Sequence, residues 1–273
     1  MSGDGRGSAR LVVAGGAPAM PWAAAARGGA RHLAPASLTF GLPLGGAGAA
    51  RGGRALPFAS VSAAAGAFAK AQQESATGVA FPDNLCVLSN KHCPGLAGVG
   101  VRAKRILGLK NINVYALGLY VDAHGAKRAL HKWKGCSADD LACNQKAFDA
   151  LVSSESFERS LRLVISFGAL KRQQFIHALE ERLAPALKKA GKSEVMPQFE
   201  RLFDGVTFKK GTLVDFSASG KGKLITKIDG KQVGAIESPE LVRALFDIYL
   251  GKDPVSPDAK KSFGAGLASL LAE

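Results

Sequence analysis

Apolar and polar residues alternate most regularly between residues 98 and 122, where two runs, 99–107 and 112–121, flank a short break at Gly108, Leu109, Lys110 and Asn111. This alternation predicts a β-hairpin. A third strand is expected over 161–167, and three more over 213–217, 223–228 and 231–236. The Asp229-Gly230 pair between the last two is a two-residue hairpin turn signal. Helical spacing takes over elsewhere. Ser137, with Asp140 three residues on, opens a helix carrying Leu141, Phe148 and Leu151. Over 171–190, Phe175, Leu179, Leu183 and Leu187 recur at helical intervals, with Pro185 expected to bend or interrupt the helix. A short helix with Phe199, Leu202 and Phe203 follows residue 194. Ser238-Pro239 and Ser256-Pro257 each read as a cap followed by a first-turn proline. Consecutive hairpins with grouped helices predict an α+β domain, an antiparallel sheet with a layer of helices on one face.

Composition divides the chain. Residues 1–70 are dominated by Ala and Gly, with Asp4 as the lone acid and seven basic residues from Arg6 to Lys70. A basic, acid-poor stretch of small residues is the composition of a mitochondrial or plastid transit peptide. It has too little apolar bulk to offset the entropy of ordering. Residues 81–273 are then the folded domain. No secretory h-region or run of about 20 apolar residues occurs, so stable membrane insertion is not expected.

The net charge of +14 loses +6 with that N-terminal segment. The remaining lysines and arginines are dispersed, and no aromatic platform interleaves with them. Solvated basic faces are expected in place of a nucleic-acid site. The four cysteines form two C-x6-C pairs, Cys86/Cys93 and Cys136/Cys143. That spacing matches neither zinc nor redox motifs, and a reducing organelle makes free thiols the expectation. No cofactor is implied. Gly98-Val99-Gly100 lacks the third glycine and the following helix of a dinucleotide fingerprint, and reads as a place where a strand bends. Ser219-Gly220-Lys221-Gly222-Lys223 lacks phosphate-loop spacing and is a basic turn. The histidines show no ligand spacing.

One constellation survives. If the 99–121 hairpin has a two- or four-residue loop, paired positions sum to an odd number, and Arg102 falls opposite or diagonal to Tyr115. The same face would carry Gly100, Ile106, Leu117 and Leu119. A guanidinium and a phenol in an apolar surface suit a carboxylate, which Arg can hold bidentately while Tyr adds a third donor. Spacing alone leaves a second reading equally open, a rim arginine beside a core tyrosine.

The segments Gly98-Val99-Gly100-Val101-Arg102 and Gly108-Leu109-Lys110-Asn111-Ile112-Asn113-Val114-Tyr115-Ala116-Leu117-Gly118-Leu119-Tyr120 resemble the core hairpin of the chalcone-isomerase-fold family. Ala235-Ile236-Glu237, Gly251-Lys252 and Val255-Ser256-Pro257 are similar to its closing helices. The resemblance spans about residues 86–270. It implies an open-faced sandwich with a ligand cleft between sheet and helices. The family holds enzymes that cyclise chalcones to flavanones and non-catalytic fatty-acid-binding proteins of plastids.

Its enzymes use an Arg and a Thr on these strands, then a Tyr and an Asn on the following helix. Here Arg102 is kept, but Tyr115 stands at the apparent Thr position, Phe175 at the Tyr position and Arg182 at the Asn position. Phe175 cannot donate to a developing enolate. The resemblance therefore implies a fatty-acid ligand held by Arg102 and Tyr115, with Ile106, Leu117 and Phe175 as candidate cleft lining. It also implies the chloroplast stroma, with the mitochondrial matrix as the alternative. Isomerase activity and a non-enzymatic helper role in flavonoid synthesis remain the other expectations.

Overall fold

A computed structural model describes residues 71–88, 93–106 and 110–273; the expected transit peptide, residues 1–70, lies outside the described residues. A small hairpin, β1 (Ala71–Gln73) and β2 (Ala80–Pro82), comes first. The main sheet then builds as an antiparallel meander. Its strands are β3 (Gly95–Ile106), β4 (Lys110–Val121), β5 (Arg159–Ile165), β6 (Leu213–Ala218), β7 (Lys223–Ile228) and β8 (Lys231–Glu237), hydrogen-bonded in that order.

Helices α1 (Ala123–Ala129), α2 (Ala138–Cys143) and α3 (Gln145–Ser153) connect β4 to β5. Helices α4 (Arg172–Lys189) and α5 (Val195–Arg201) connect β5 to β6. Helices α6 (Pro239–Leu250) and α7 (Pro257–Ala272) close the chain. The architecture is α+β, an open antiparallel sheet with helices, as the resemblance implies.

The turn chemistry expected from sequence is present. Ser137 Oγ accepts the Asp140 amide at 3.1 Å and donates to its carboxylate at 2.7 Å, fixing the start of α2, but the single helix expected there breaks at Asn144, which accepts the Ala147 amide at 3.2 Å and opens α3 with Phe148 and Leu151. Ser238 Oγ accepts the Leu241 amide at 3.1 Å, with Pro239 in the first turn of α6. Asp229 and Gly230 both have positive φ, 49° and 79°, as a two-residue turn between twisted strands requires. Pro185 does not interrupt α4, which runs through it. The proline sits on the exposed side, where solvent can take up the carbonyl that loses its partner. Helix α1 was missed because Ala123–Ala129 has no apolar stripe; Asp122 nucleates it by accepting the His124 and Gly125 amides.

One face of the sheet carries the main core. Leu117, Leu119, Leu161, Leu163, Val214 and Phe216 are wholly buried against helices. Helix α7 lies on β3 at backbone distance. A Cβ on Gly266 would fall 1.5 Å from the Ala97 carbonyl oxygen, and one on Gly100 would fall 2.4 Å from Ala259 Cβ. The glycine of β3 expected to bend the strand thus admits a helix, although the register with β4 does shift between Leu96 and Gly98.

The opposite face is covered near β3–β5 by the N-terminal segment. Phe81 and Leu85 pack there with Val99, Ala116, Tyr120 and Val164. This face is also polar. Arg162 grips Asp215 through two bonds of 2.7 and 2.8 Å, and Ser160 and Ser217 share a 2.6 Å bond. Lys227 Nζ donates to the Val87 carbonyl at 2.9 Å, tying the segment to the sheet.

One cysteine expectation is corrected. Cys86 and Cys93 form a disulfide, while Cys136 and Cys143 are free. The reason is local geometry. Leu85 N donates to Pro94 O at 3.0 Å and Leu96 N to Asp83 O at 2.7 Å, so the chain doubles back and sets the two Cα atoms 4.5 Å apart. Among the described residues no group of three metal-ligating side chains occurs, and no helix is long and apolar enough to cross a membrane.

Glu158, beneath this segment, has its pKa pushed by burial from 4.5 to about 7; the Leu88 amide opposes the shift and Asp122 adds to it. Its Oε1 has no partner among the described residues. A carboxyl whose folded pKa is raised favours the fold when protonated. Its stabilisation is complete below about pH 4.5 and is lost as pH rises through about 7. Glu158→Gln is expected to flatten this decline. Urea midpoints of wild type and variant across that window measure the effect, and parallel pH profiles would contradict the assignment.

Candidate functional site

Strand β3 carries Arg102 and β4 carries Tyr115, and the two are direct partners in the antiparallel register. They reach this pairing by a route the sequence reading did not contain. Ile106 pairs with Lys110, so the loop holds three residues and pairs near it sum to an even number. A bulge between Arg102 and Ala103 then shifts the count by one and brings Arg102 opposite Tyr115. Ile106 pairs with Lys110, and its side chain lies outside the described residues.

The sheet directs Tyr115 toward the helices, where it is 7% exposed. Its hydroxyl meets that of Tyr249, on α6, at 3.2 Å. Tyr249 belongs to the apolar face of α6 and is 1% exposed. The Arg102 guanidinium completes the group and donates through Nη1 to the Val255 carbonyl in the α6–α7 connection. Ser256 Oγ holds that connection to β3 by donating to Val101 O at 2.8 Å. A guanidinium has five N–H donors, so a bond to one carbonyl orients it without exhausting it.

Burial dominates the electrostatics. It raises the Tyr115 pKa, with Tyr249 and Arg102 pulling it back in part. It raises that of Tyr249 well above the ordinary phenol value, and the neighbouring Tyr115 adds to the shift. Both phenols are therefore neutral donors over the whole physiological range. Whichever hydroxyl donates within the pair, the other keeps a hydrogen to offer. The arrangement can bind an anion through a cation and a polarised O–H chain. It offers no phenolate base.

The surroundings are apolar and aromatic. Phe175, on α4, lies edge-on to Tyr115 at 6.4 Å between ring centroids and to Phe208 at 4.9 Å. Phe203 continues the cluster 5.7 Å from Phe175. Leu117 lies wholly buried two residues beyond Tyr115 on β4, and Phe175 is 3% exposed. The structure thus brings Arg102, Tyr115, Leu117 and Phe175 to one side of the sheet. Arg182 is not in this group. It extends outward and pairs with Asp253 at 2.7 Å, on the same α6–α7 connection that carries Val255.

Tyr249 was not singled out from sequence. The available signal was a tyrosine on the apolar stripe of an amphipathic helix, whose hydroxyl needs a partner once buried. The Val255 carbonyl, a backbone group, left no signal.

The sequence matches the chalcone-flavanone isomerase family over residues 77–270. It is 32% identical to fatty-acid-binding protein 1 of Arabidopsis thaliana over 202 residues, which cover 72% of this chain and 70% of that protein. It is 31% identical to a chalcone–flavanone isomerase of Oryza sativa, covering 71% of this chain and 88% of the relative. The crystal structure of an Arabidopsis thaliana fatty-acid binding protein superposes with a TM-score of 0.65 at 31% identity, over 75% of this chain and 100% of that one.

Because the Tyr115 and Tyr249 hydroxyls pair in a buried setting, Tyr249→Phe strands that of Tyr115 and should cost about 1–3 kcal/mol of stability. Replacing both tyrosines by Phe should cost less than the sum of the single changes. Denaturant titration of the four proteins tests this, and strict additivity would place the two hydroxyls out of contact.

Proposed function

The chain belongs to the chalcone-flavanone isomerase family, and we propose that within it this chain is a non-catalytic fatty-acid-binding protein. The observation that carries the reading is a guanidinium and two neutral phenols gathered at the wall of an aromatic, apolar core. A fatty acid has the matching parts, one carboxylate and a long apolar chain. At about 0.8 kcal/mol per buried methylene, ten methylenes would contribute about 8 kcal/mol before association costs, so the acyl chain supplies most of the affinity. Arg102 and Tyr115 then orient the head group and prevent a buried unpaired charge.

The similarity to fatty-acid-binding proteins of Arabidopsis thaliana supports this reading. The similarity to chalcone–flavanone isomerases supports a second one, intramolecular ring closure of a chalcone. Against it stand Phe175, which has no hydroxyl, and Tyr115, whose pKa burial raises and so opposes phenolate chemistry. We place the protein in the plastid stroma, with residues 1–70 as the removable targeting segment and a role in fatty-acid metabolism. The support is the composition of that segment and the family.

Titrating a fluorescent fatty acid separates these readings. Arg102→Ala should weaken binding by about 2–5 kcal/mol, the range for removing one partner of a buried charge pair. Tyr115→Phe should weaken it by about 0.5–1.5 kcal/mol, one hydrogen bond. Equal affinity in all three proteins would put the acid elsewhere. Incubation with a chalcone should show loss of its visible absorbance at the spontaneous rate. Faster turnover that disappears in Arg102→Ala would establish the isomerase instead. A fluorescent fusion of residues 1–80 should enter plastids; mitochondrial signal would move the protein to the matrix, and cytosolic signal would remove the targeting claim.

A further inference from the structure

The meander places three connections at one end of the sheet: β3 to β4, β5 to β6 through α4 and α5, and the β7–β8 turn. Basic side chains collect there. Arg105 lies on β3, Lys171 and Arg172 follow β5, Lys209 and Lys210 precede β6, and Lys231 opens β8. All but Arg172 are exposed, and Arg172 is partly so. Two carboxylates among the described residues at this end are both engaged. Asp204 pairs with Arg172 at 3.0 Å, and Asp229 accepts the Leu213 amide at 2.8 Å.

The two lysine-bearing connections lie side by side. Gly211 N donates to Ile165 O at 2.7 Å, and a Cβ on Gly168 would sit 3.8 Å from Lys210 Cβ. Between the basic pairs the β5–α4 connection presents an apolar tip, with Phe167 half-buried and Gly168 and Ala169 exposed.

We infer that this end of the sheet docks the protein reversibly on an anionic lipid surface. Cations ringing a small apolar tip match the chemistry of such a surface, where anionic head groups take the charges and the interface takes the tip. A nucleic acid would call for stacking aromatics along the basic track, and the one half-exposed ring here is Phe167. The face also adjoins the candidate site. Phe208, packed on Phe175, directly precedes Lys209, and Arg172 lies one helical turn before Phe175. Tyr115 pairs with Ile165, the last residue of β5. Docking would turn this rim of the site toward the lipid. The inference rests on charge placement and does not require the ligand to be a fatty acid.

Sedimentation of the full chain with vesicles tests it. Phosphatidylcholine vesicles containing phosphatidylglycerol should bind the protein and pure phosphatidylcholine vesicles should not. Binding should vanish near 1 M salt, where the screening length falls to about 3 Å. Lys209→Ala/Lys210→Ala should weaken partitioning by on the order of tenfold or more, at about fivefold per lysine. Lys188→Ala/Lys189→Ala, at the far end of α4, should leave it unchanged, with melting curves confirming that both variants fold. Equal binding to the two vesicle types would overturn the proposal, as would wild-type binding by Lys209→Ala/Lys210→Ala, which would assign the attraction to the basic N-terminal segment. Retention by a short RNA but not by anionic vesicles would assign the face to nucleic acid.

Discussion

Helix α7 approaches β3 more closely than any pair of side chains would permit, and the position of Arg102 depends on that approach. Gly266 sets the helix backbone against the Ala97 carbonyl, and Gly100 leaves room for the Ala259 Cβ. With the helix seated this deeply, its N-cap Ser256 reaches the Val101 carbonyl, and Val255 presents its own carbonyl to the neighbouring Arg102. A cationic side chain at the edge of an apolar core is otherwise free to swing into solvent. Here it is drawn inward beside the two tyrosines. A larger residue at either glycine would overpack the contact and displace the carbonyl that aims the guanidinium.

The two faces of the sheet hold their polar groups for different ends. On the helix side, Tyr115 and Tyr249 share a bond that leaves one hydroxyl hydrogen free, beside the Arg102 guanidinium in an aromatic setting. On the other side Arg162–Asp215 and Ser160–Ser217 are closed pairs. The strap from Phe81 to Leu88 lies over that face, held by Lys227 and by the Cys86–Cys93 disulfide at its end. These pairs hold the sheet and strap together. The cation beside two phenols is what leads us to propose the site on the helix side.

Features written in local sequence were legible: the meander, the capped helices opened by Ser137, Ser238 and Ser256, and the turn at Asp229-Gly230. Helix continuity through Pro185 was not, because it depends on which side of α4 faces water. The pairing of Arg102 with Tyr115 was anticipated from a two- or four-residue loop, yet it arises from a three-residue loop and a compensating bulge. Register shifts of this kind cost one residue and leave no compositional mark. Tyr249 and the Val255 carbonyl come from a segment more than 130 residues away in the chain, and only the packing of α6 and α7 brings them to Arg102. The Cys86–Cys93 bridge escaped for a local reason, since compartment and spacing say nothing of a chain that doubles back.

The central claim is that Arg102 recognises a carboxylate. It is tested most directly by measuring the affinities of wild type and Arg102→Ala for a fatty acid and for its methyl ester. The ester keeps the acyl chain and removes the charge. The account predicts that wild type prefers the acid strongly, that Arg102→Ala loses this preference, and that ester affinity barely changes between the two proteins. A preference for the acid that survives in Arg102→Ala, or an equal loss for acid and ester, would contradict it.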